Sequence, residues 1–130
     1  LVVSISIDQL RSDYLEAFAP LYGEGGFKRL LKNGLVYPNA SYSFTPVDRA
    51  SAMASVSTGT TPYYNGIVGG RWLNKETLRP VTCDSPGSLS VSTIGDELKV
   101  ATGGKSVVYA ISPFCDAAIM SAGHAANGAA

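Results

Sequence analysis

The sequence predicts an α/β layered domain whose sheet is largely parallel. Two β-prone runs, residues 1–7 and 105–111, stand near the two ends of the chain. Between them lie segments with helix caps, helical spacing of apolar residues and stop glycines. The order strand, helices, strand, helix, excursion, helix, strand is that of helices laid on a sheet.

Residues 1–7 are Leu, Val and Ile broken only by Ser4 and Ser6, the pattern of a central strand covered on both faces, and they deliver Asp8 to its C-terminal end. Ser12 and Asp13 are good caps for a short helix through Phe18. Gly25-Gly26 introduces a second helix over residues 27–32, with Phe27, Leu30 and Leu31 on one face and Gly34 as its stop. Residues 35–44 read as extended. Asp48 is an N-cap for a helix over residues 49–57, whose Ala50, Ser51, Ala52, Ala54 and Ser55 suit close packing on a sheet, and Gly59 and Pro62 end it. Residues 68–82 read as an irregular hairpin or excursion around Asn74-Lys75-Glu76. Thr93, followed by Asp96 and Glu97, resembles a capping box for a helix to about Ala101, stopped by Gly103-Gly104. Val107, Val108, Ala110 and Ile111 fill the last strand. No further strand or helix is expected before Gly128-Ala129-Ala130, as though the domain continued.

Composition narrows the function classes. At 130 residues, 45% hydrophobic and 15% charged, the chain can bury one core and has the character of neither a disordered nor a membrane-spanning protein. Its longest apolar run is far too short to cross a bilayer. Ten Lys and Arg balance ten Asp and Glu and are scattered, so no electrostatic footprint for nucleic acid is present. Cys83 and Cys115 lack C-x-x-C spacing, which argues against a zinc ribbon or a thioredoxin-like motif. Two buried thiols or one disulfide are both open, and thiols are preferred because Cys is often a small buried hydrophobe. Gly69-Gly70 lacks the strand-to-helix context of a Rossmann loop.

Ligands of open α/β sheets gather at the carboxyl ends of strands, so Asp8 and the helix opened by Asp48 are natural occupants of one site. Asp8 is a hard metal ligand by type, and a helix start offers free N–H groups to a phosphate or a developing alkoxide.

Four ordered fragments then carry a resemblance: Ser4-Ile5-Ser6-Ile7-Asp8-Gln9-Leu10-Arg11-Ser12-Asp13-Tyr14-Leu15; Tyr22-Gly23-Glu24-Gly25-Gly26-Phe27-Lys28-Arg29-Leu30-Leu31; Ser57-Thr58-Gly59-Thr60-Thr61-Pro62 with Asn65-Gly66-Ile67; and Ser121-Ala122-Gly123-His124-Ala125-Ala126. Together they resemble the type I phosphodiesterase/nucleotide pyrophosphatase family of the alkaline phosphatase superfamily, in its bacterial periplasmic phosphatase-like branch. The resemblance spans nearly the whole chain. It implies a layered α/β/α domain, of which residues 1–130 form an N-terminal and incomplete portion. It also implies an extracytoplasmic location and in-line hydrolysis of phosphate esters or nucleotides with two zinc ions at the strand ends. Asp8 falls on a metal-ligand position of that family, and most of the remaining ligands lie beyond the matched stretch. No stoichiometric zinc is expected on this chain.

The departures from the family pattern are the sharper finding. The family nucleophile, Thr or Ser, stands nine residues before the Thr-Gly pair, and counting back from Thr58 gives Arg49. An Asn that contacts a phosphoryl oxygen follows the His-Gly-Ile-x-Gly stretch, where this chain has Gly70. The Lys-x-Arg of the periplasmic branch is replaced by Phe114 and Asp116. A guanidinium is always protonated and cannot serve as an oxygen nucleophile. Its charge at a helix start would also repel a dication, and Asp8 is the expected partner that relieves it.

Plainer readings stand beside these. Asp8 can be a loop or capping carboxylate, and Arg49 a surface arginine in a register that instead makes Ser51, Thr45 or Ser43 the nucleophile. Pro46, at the family's proline position, favours the Arg49 register. His124, the sole histidine, reads as structural, and Phe114, Cys115 and Trp72 as packing residues. The functions in contention are an inactive relative, an active phosphatase or phosphodiesterase using another hydroxyl such as Ser51, and a non-catalytic phosphate-binding or assembly module. Self-association through exposed sheet edges is expected of an incomplete sheet.

Overall fold

In the computed structural model, which describes residues 1–130, regular structure begins only at Ser12. Residues 1–10 lie in no helix or strand and are exposed throughout. The strand expected at residues 1–7 is therefore absent: a strand exists through its hydrogen-bonded neighbour, and no segment of the chain pairs with this one. Residues 35–44, expected to be extended, form no strand either.

The chain divides into two compact units, Leu1–Ser41 and Tyr42–Ala130. The first holds α1 (Ser12–Ala17), a 3-10 turn at Ala19–Leu21 and α2 (Phe27–Asn33). Neither helix buries a residue. Ser12 opens α1 without capping it; Arg11 takes the cap position and grips Asp13 through Nη2 at 2.6 Å. α2 ends at Gly34 as its sequence predicts.

The second unit is built around α3 (Arg49–Thr58), which packs on α6 (Cys115–Ala122). Asp48 caps α3 in a reciprocal box with Ser51, and Gly59 closes it in the left-handed conformation at φ 68. The small residues of α3 do allow close approach, but to a helix and not to a sheet. Ala50 and Ala54 are buried beside Met120, and the Ser57 hydroxyl donates to the Met120 carbonyl at 2.6 Å. α4 (Pro62–Asn65) follows, then the antiparallel hairpin of β1 (Arg71–Leu73) and β2 (Pro80–Thr82), inside the predicted excursion. Ile67, Cys83 and Leu89 complete the core, with Trp72 packed against it.

α5 (Ile94–Ala101) starts at the predicted Thr93–Asp96 capping box. β3 (Tyr109–Ala110) and β4 (Gly128–Ala129) pair in parallel and flank α6 in sequence, a strand–helix–strand unit that carries the expected parallel sheet in miniature. The predicted strand over residues 105–111 is cut to the two residues that find a partner. The chain does not run out without a final element, since Gly128–Ala129 is that partner. No helix is long and apolar enough to cross a membrane.

Candidate functional site

The start of α3 gathers the residues that the sequence singles out. Asp48 does more than cap. One carboxylate oxygen accepts the Ser51 N–H at 2.8 Å and the other reaches across the unit to the Gly70 N–H at 2.7 Å. The Gly70 carbonyl in turn accepts from the Cys83 N–H at 3.0 Å, so both backbone polar groups of Gly70 are tied. Burial works against the charge on Asp48. The Ser51 and Gly70 N–H groups, the Ser51 hydroxyl and the neighbouring Arg49 outweigh it and hold the carboxyl below its ordinary value.

Arg49 heads the helix, and its guanidinium turns to α6. Nε donates to Asp116 Oδ1 at 3.1 Å and Nη2 to Asp116 Oδ2 at 3.2 Å, a two-point fork. The guanidinium carbon lies 3.7 Å from the centroid of the Phe114 ring, stacked on its face. The carboxylate that takes up this cation is thus Asp116, where the sequence reading expected Asp8. Asp116 also sits in the first turn of α6, where the helix dipole favours an anion.

Gly70 lies between the two acids: a Cβ there would stand 3.8 Å from an oxygen of Asp48 and 3.8 Å from one of Asp116. Arg49, Gly70, Phe114 and Asp116, the positions that the sequence reading set apart, therefore form one contiguous cluster within the second unit. Behind it the Cys83 thiol is pushed up to about 11, first by burial and then by the charges of Asp116, Asp48 and Asp84. Cys83 and Cys115 are both free thiols, one buried and one exposed.

The alternative hydroxyl, Ser51, is fully buried, and its Oγ is committed to the capping box with the Asp48 backbone. Asp8 lies in the first unit, exposed at a turn. No group of three His, Cys, Asp or Glu that could hold a metal ion comes together. The donor types that two metal ions would need do not assemble here. Asp48 is filled with N–H donors, and Asp116 is neutralised by a guanidinium.

A second polar centre lies at the start of α5. Asp96 accepts from the Thr93 N–H at 2.8 Å, the Thr93 hydroxyl at 2.9 Å and the Ala125 N–H at 2.7 Å. His124 places Nδ1 3.2 Å from Asp96 and Nε2 3.2 Å from the Leu89 carbonyl. Burial opposes the charge on Asp96, but the Thr93, Ala125 and His124 hydrogen bonds prevail and drive the carboxyl far below the ordinary range. His124 thus bridges the Asp96 carboxylate and the Leu89 carbonyl. The tie from Asp48 to Gly70 and that from Asp96 to Ala125 were not visible in the sequence, where both acids read only as local caps.

The sequence model of the family described as type I phosphodiesterase/nucleotide pyrophosphatase matches residues 2–127. Alkaline phosphatase PhoV of Synechococcus elongatus is 39% identical over 99% of this chain and 26% of its own length. Alkaline phosphatase PafA of Elizabethkingia meningoseptica is 35% identical over 99% of this chain and 27% of its own length. A solved structure of PafA, with a threonine, an asparagine, a lysine and an arginine substituted, superposes with a TM-score of 0.91 over 95% of this chain and 27% of that one. The chain spans about a quarter of the length of the relatives it matches.

Proposed function

We propose, for a chain that belongs to the type I phosphodiesterase/nucleotide pyrophosphatase family, that residues 1–130 are the N-terminal portion of one alkaline-phosphatase-like hydrolase domain whose ester-cleaving centre has given way to an internal ion pair. The substrate class of such a domain is a phosphate ester or nucleotide, and its place in the cell is extracytoplasmic. The chain keeps the frame and not the reaction. Apolar side chains exposed at Val107, Tyr109 and Ile111, beside the two-stranded sheet, support self-association as a property of this frame.

The observation that carries this reading is the Arg49–Asp116 fork. Hydrolysis by in-line displacement needs an oxygen nucleophile and donors that stabilise charge on the phosphoryl oxygens. Arg49 supplies no nucleophilic oxygen. Its donors on the forked edge are spent on Asp116, and the Gly70 and Ser51 N–H groups are spent on Asp48. An incoming phosphoryl group would meet two carboxylates. Spacing supports the same assignment: the substituted threonine and asparagine of the PafA mutant are as far apart in that chain as Arg49 and Gly70 here. Its substituted lysine and arginine are separated by one residue, as Phe114 and Asp116 are. Burial and capping of Ser51 weigh against a shifted nucleophile.

The test is turnover of p-nitrophenyl phosphate and bis-p-nitrophenyl phosphate by protein containing these residues, with zinc added. No rate above buffer is expected. Turnover that a chelator abolishes would overturn the reading, and Ser51→Ala would then show whether that hydroxyl is responsible.

A further inference from the structure

We propose that Asp116 is a built-in occupant of an oxyanion seat formed by the Arg49 guanidinium and the Phe114 ring, and that a free carboxylate or phosphate takes the seat once the Asp116 side chain is removed. This deepens the reading of an inactive centre, because the same carboxylate that pairs with Arg49 shuts the site to phosphoryl groups from within.

Three features of the cluster support it. The forked edge of a guanidinium matches two oxygens of a carboxylate or a phosphate equally well, and here that edge is filled at 3.1 and 3.2 Å. The guanidinium carbon also lies 3.7 Å over the centroid of the Phe114 ring, a contact that does not involve Asp116 and so is available to hold the cation when the acid is deleted. Solvent already reaches the pair, with side-chain exposures of 35% for Arg49 and 20% for Asp116, so a small ion has access.

Negative charge at this position is compatible with the surroundings as they stand. Asp116 keeps its fork while an oxygen of Asp48 flanks the same glycine, and the first turn of α6 favours an anion. An ion of equal charge in the same place meets the same field. In the intact protein no such ion can enter: the guanidinium edge is occupied, and a second anion would face both carboxylates.

The experiment is anion rescue of thermal stability in Asp116→Ala. Formate and inorganic phosphate are each compared with chloride at equal ionic strength. The melting midpoint of the variant is expected to rise by about 4 °C or more in at least one oxyanion, the shift expected from restoring one charge-assisted pair. Wild type and the Arg49→Ala/Asp116→Ala double variant are expected to show no such difference. Rescue by formate alone defines a carboxylate-sized seat, and rescue by phosphate, alone or as well, defines one that admits a phosphoryl group. Asp116→Ser, which leaves similar room and suits a helix start, repeats the measurement. Equal response of wild type, rescue that survives loss of Arg49, or failure of both single variants to gain stability in either oxyanion overturns the proposal. Hydrolysis by the wild type would overturn the inactive-centre reading and leave the rescue result standing, so the two can fail separately.

Discussion

The starts of α3 and α5 use one local device. In each, a capping box pairs an N-cap side chain with the third helical residue, Asp48 with Ser51 and Thr93 with Asp96, and the aspartate of the box reaches a backbone N–H far along the chain, at Gly70 and at Ala125. Around Asp96 every neighbour is committed to holding that acid: a hydroxyl, backbone N–H groups and a histidine ring. Around Asp48 the outer ring is different, because a cation and a second acid, Arg49 and Asp116, neutralise each other beside it. The Asp96 centre is a knot that ties the start of α5 to the chain that leads from α6 into β4. At the start of α3 the donors point inward, onto Asp48 and Asp116. Polar density alone therefore does not mark a reactive site; whether donors remain free does.

The sharpest way to break this contrast is at the knot. Gly123 sits at φ 79, and a Cβ there would collide with the Thr93 hydroxyl and the Asp96 carboxylate. Gly123→Ala is expected to cost on the order of 3 kcal/mol, since backbone strain and a displaced buried carboxylate act together. A fall in Tm of about 10 °C or more follows for a unit of this size. A change within a few degrees of wild type would show that the knot is pliant.

Acid titration sharpens the contrast with a smaller effect. The native Asp96 carboxyl lies below its unfolded value, so its contribution is present above the unfolded pKa of about 3.9 and is lost as pH falls below that value toward the depressed native one. The direction is loss of stability with acid, never gain. Wild type and Asp96→Asn, compared by urea denaturation, are expected to differ most near neutrality and to converge below about pH 4. Parallel curves through that range would show that Asp96 carries no linkage.

The legible parts of the fold were those set by a few neighbouring residues. Asp48, Thr93, Gly34 and Gly59 announce their helix ends because caps and stops are local chemistry. β-propensity predicts longer strands at residues 1–7 and 105–111 than the fold contains, because it says nothing about whether a partner is present. α6 leaves no such mark in the sequence, for the opposite reason. Phe114 offers no side-chain cap, and Ala117, Ala118, Met120 and Ala122 are all buried, so no clear apolar stripe marks the helix. At the candidate site, Arg49, Gly70, Phe114 and Asp116 could be picked out only through the family resemblance. That they touch could not, since Arg49 and Asp116 are 67 residues apart in the chain. Opposite charges at a predicted strand end and helix start suggested Asp8 as the partner, and nothing local could have preferred an acid on a helix that was itself unforeseen.

The least energetic test addresses the Arg49–Asp116 pair itself. Both side chains are partly exposed, at 35% and 20%, so solvent screening keeps their mutual attraction modest even with fork geometry. A double-mutant cycle of Arg49→Ala and Asp116→Ala by urea denaturation is expected to give a coupling of about 1 kcal/mol. Coupling near zero would mean that the fork is incidental and that Phe114 alone holds the guanidinium. A large coupling would make the pair a structural necessity of the α3–α6 contact. A modest value would also fit the proposed reading, because a pair of that strength can occupy the start of α3 without rebuilding the helices around it while Asp48, Gly70 and the buried alanines of α3 hold the frame.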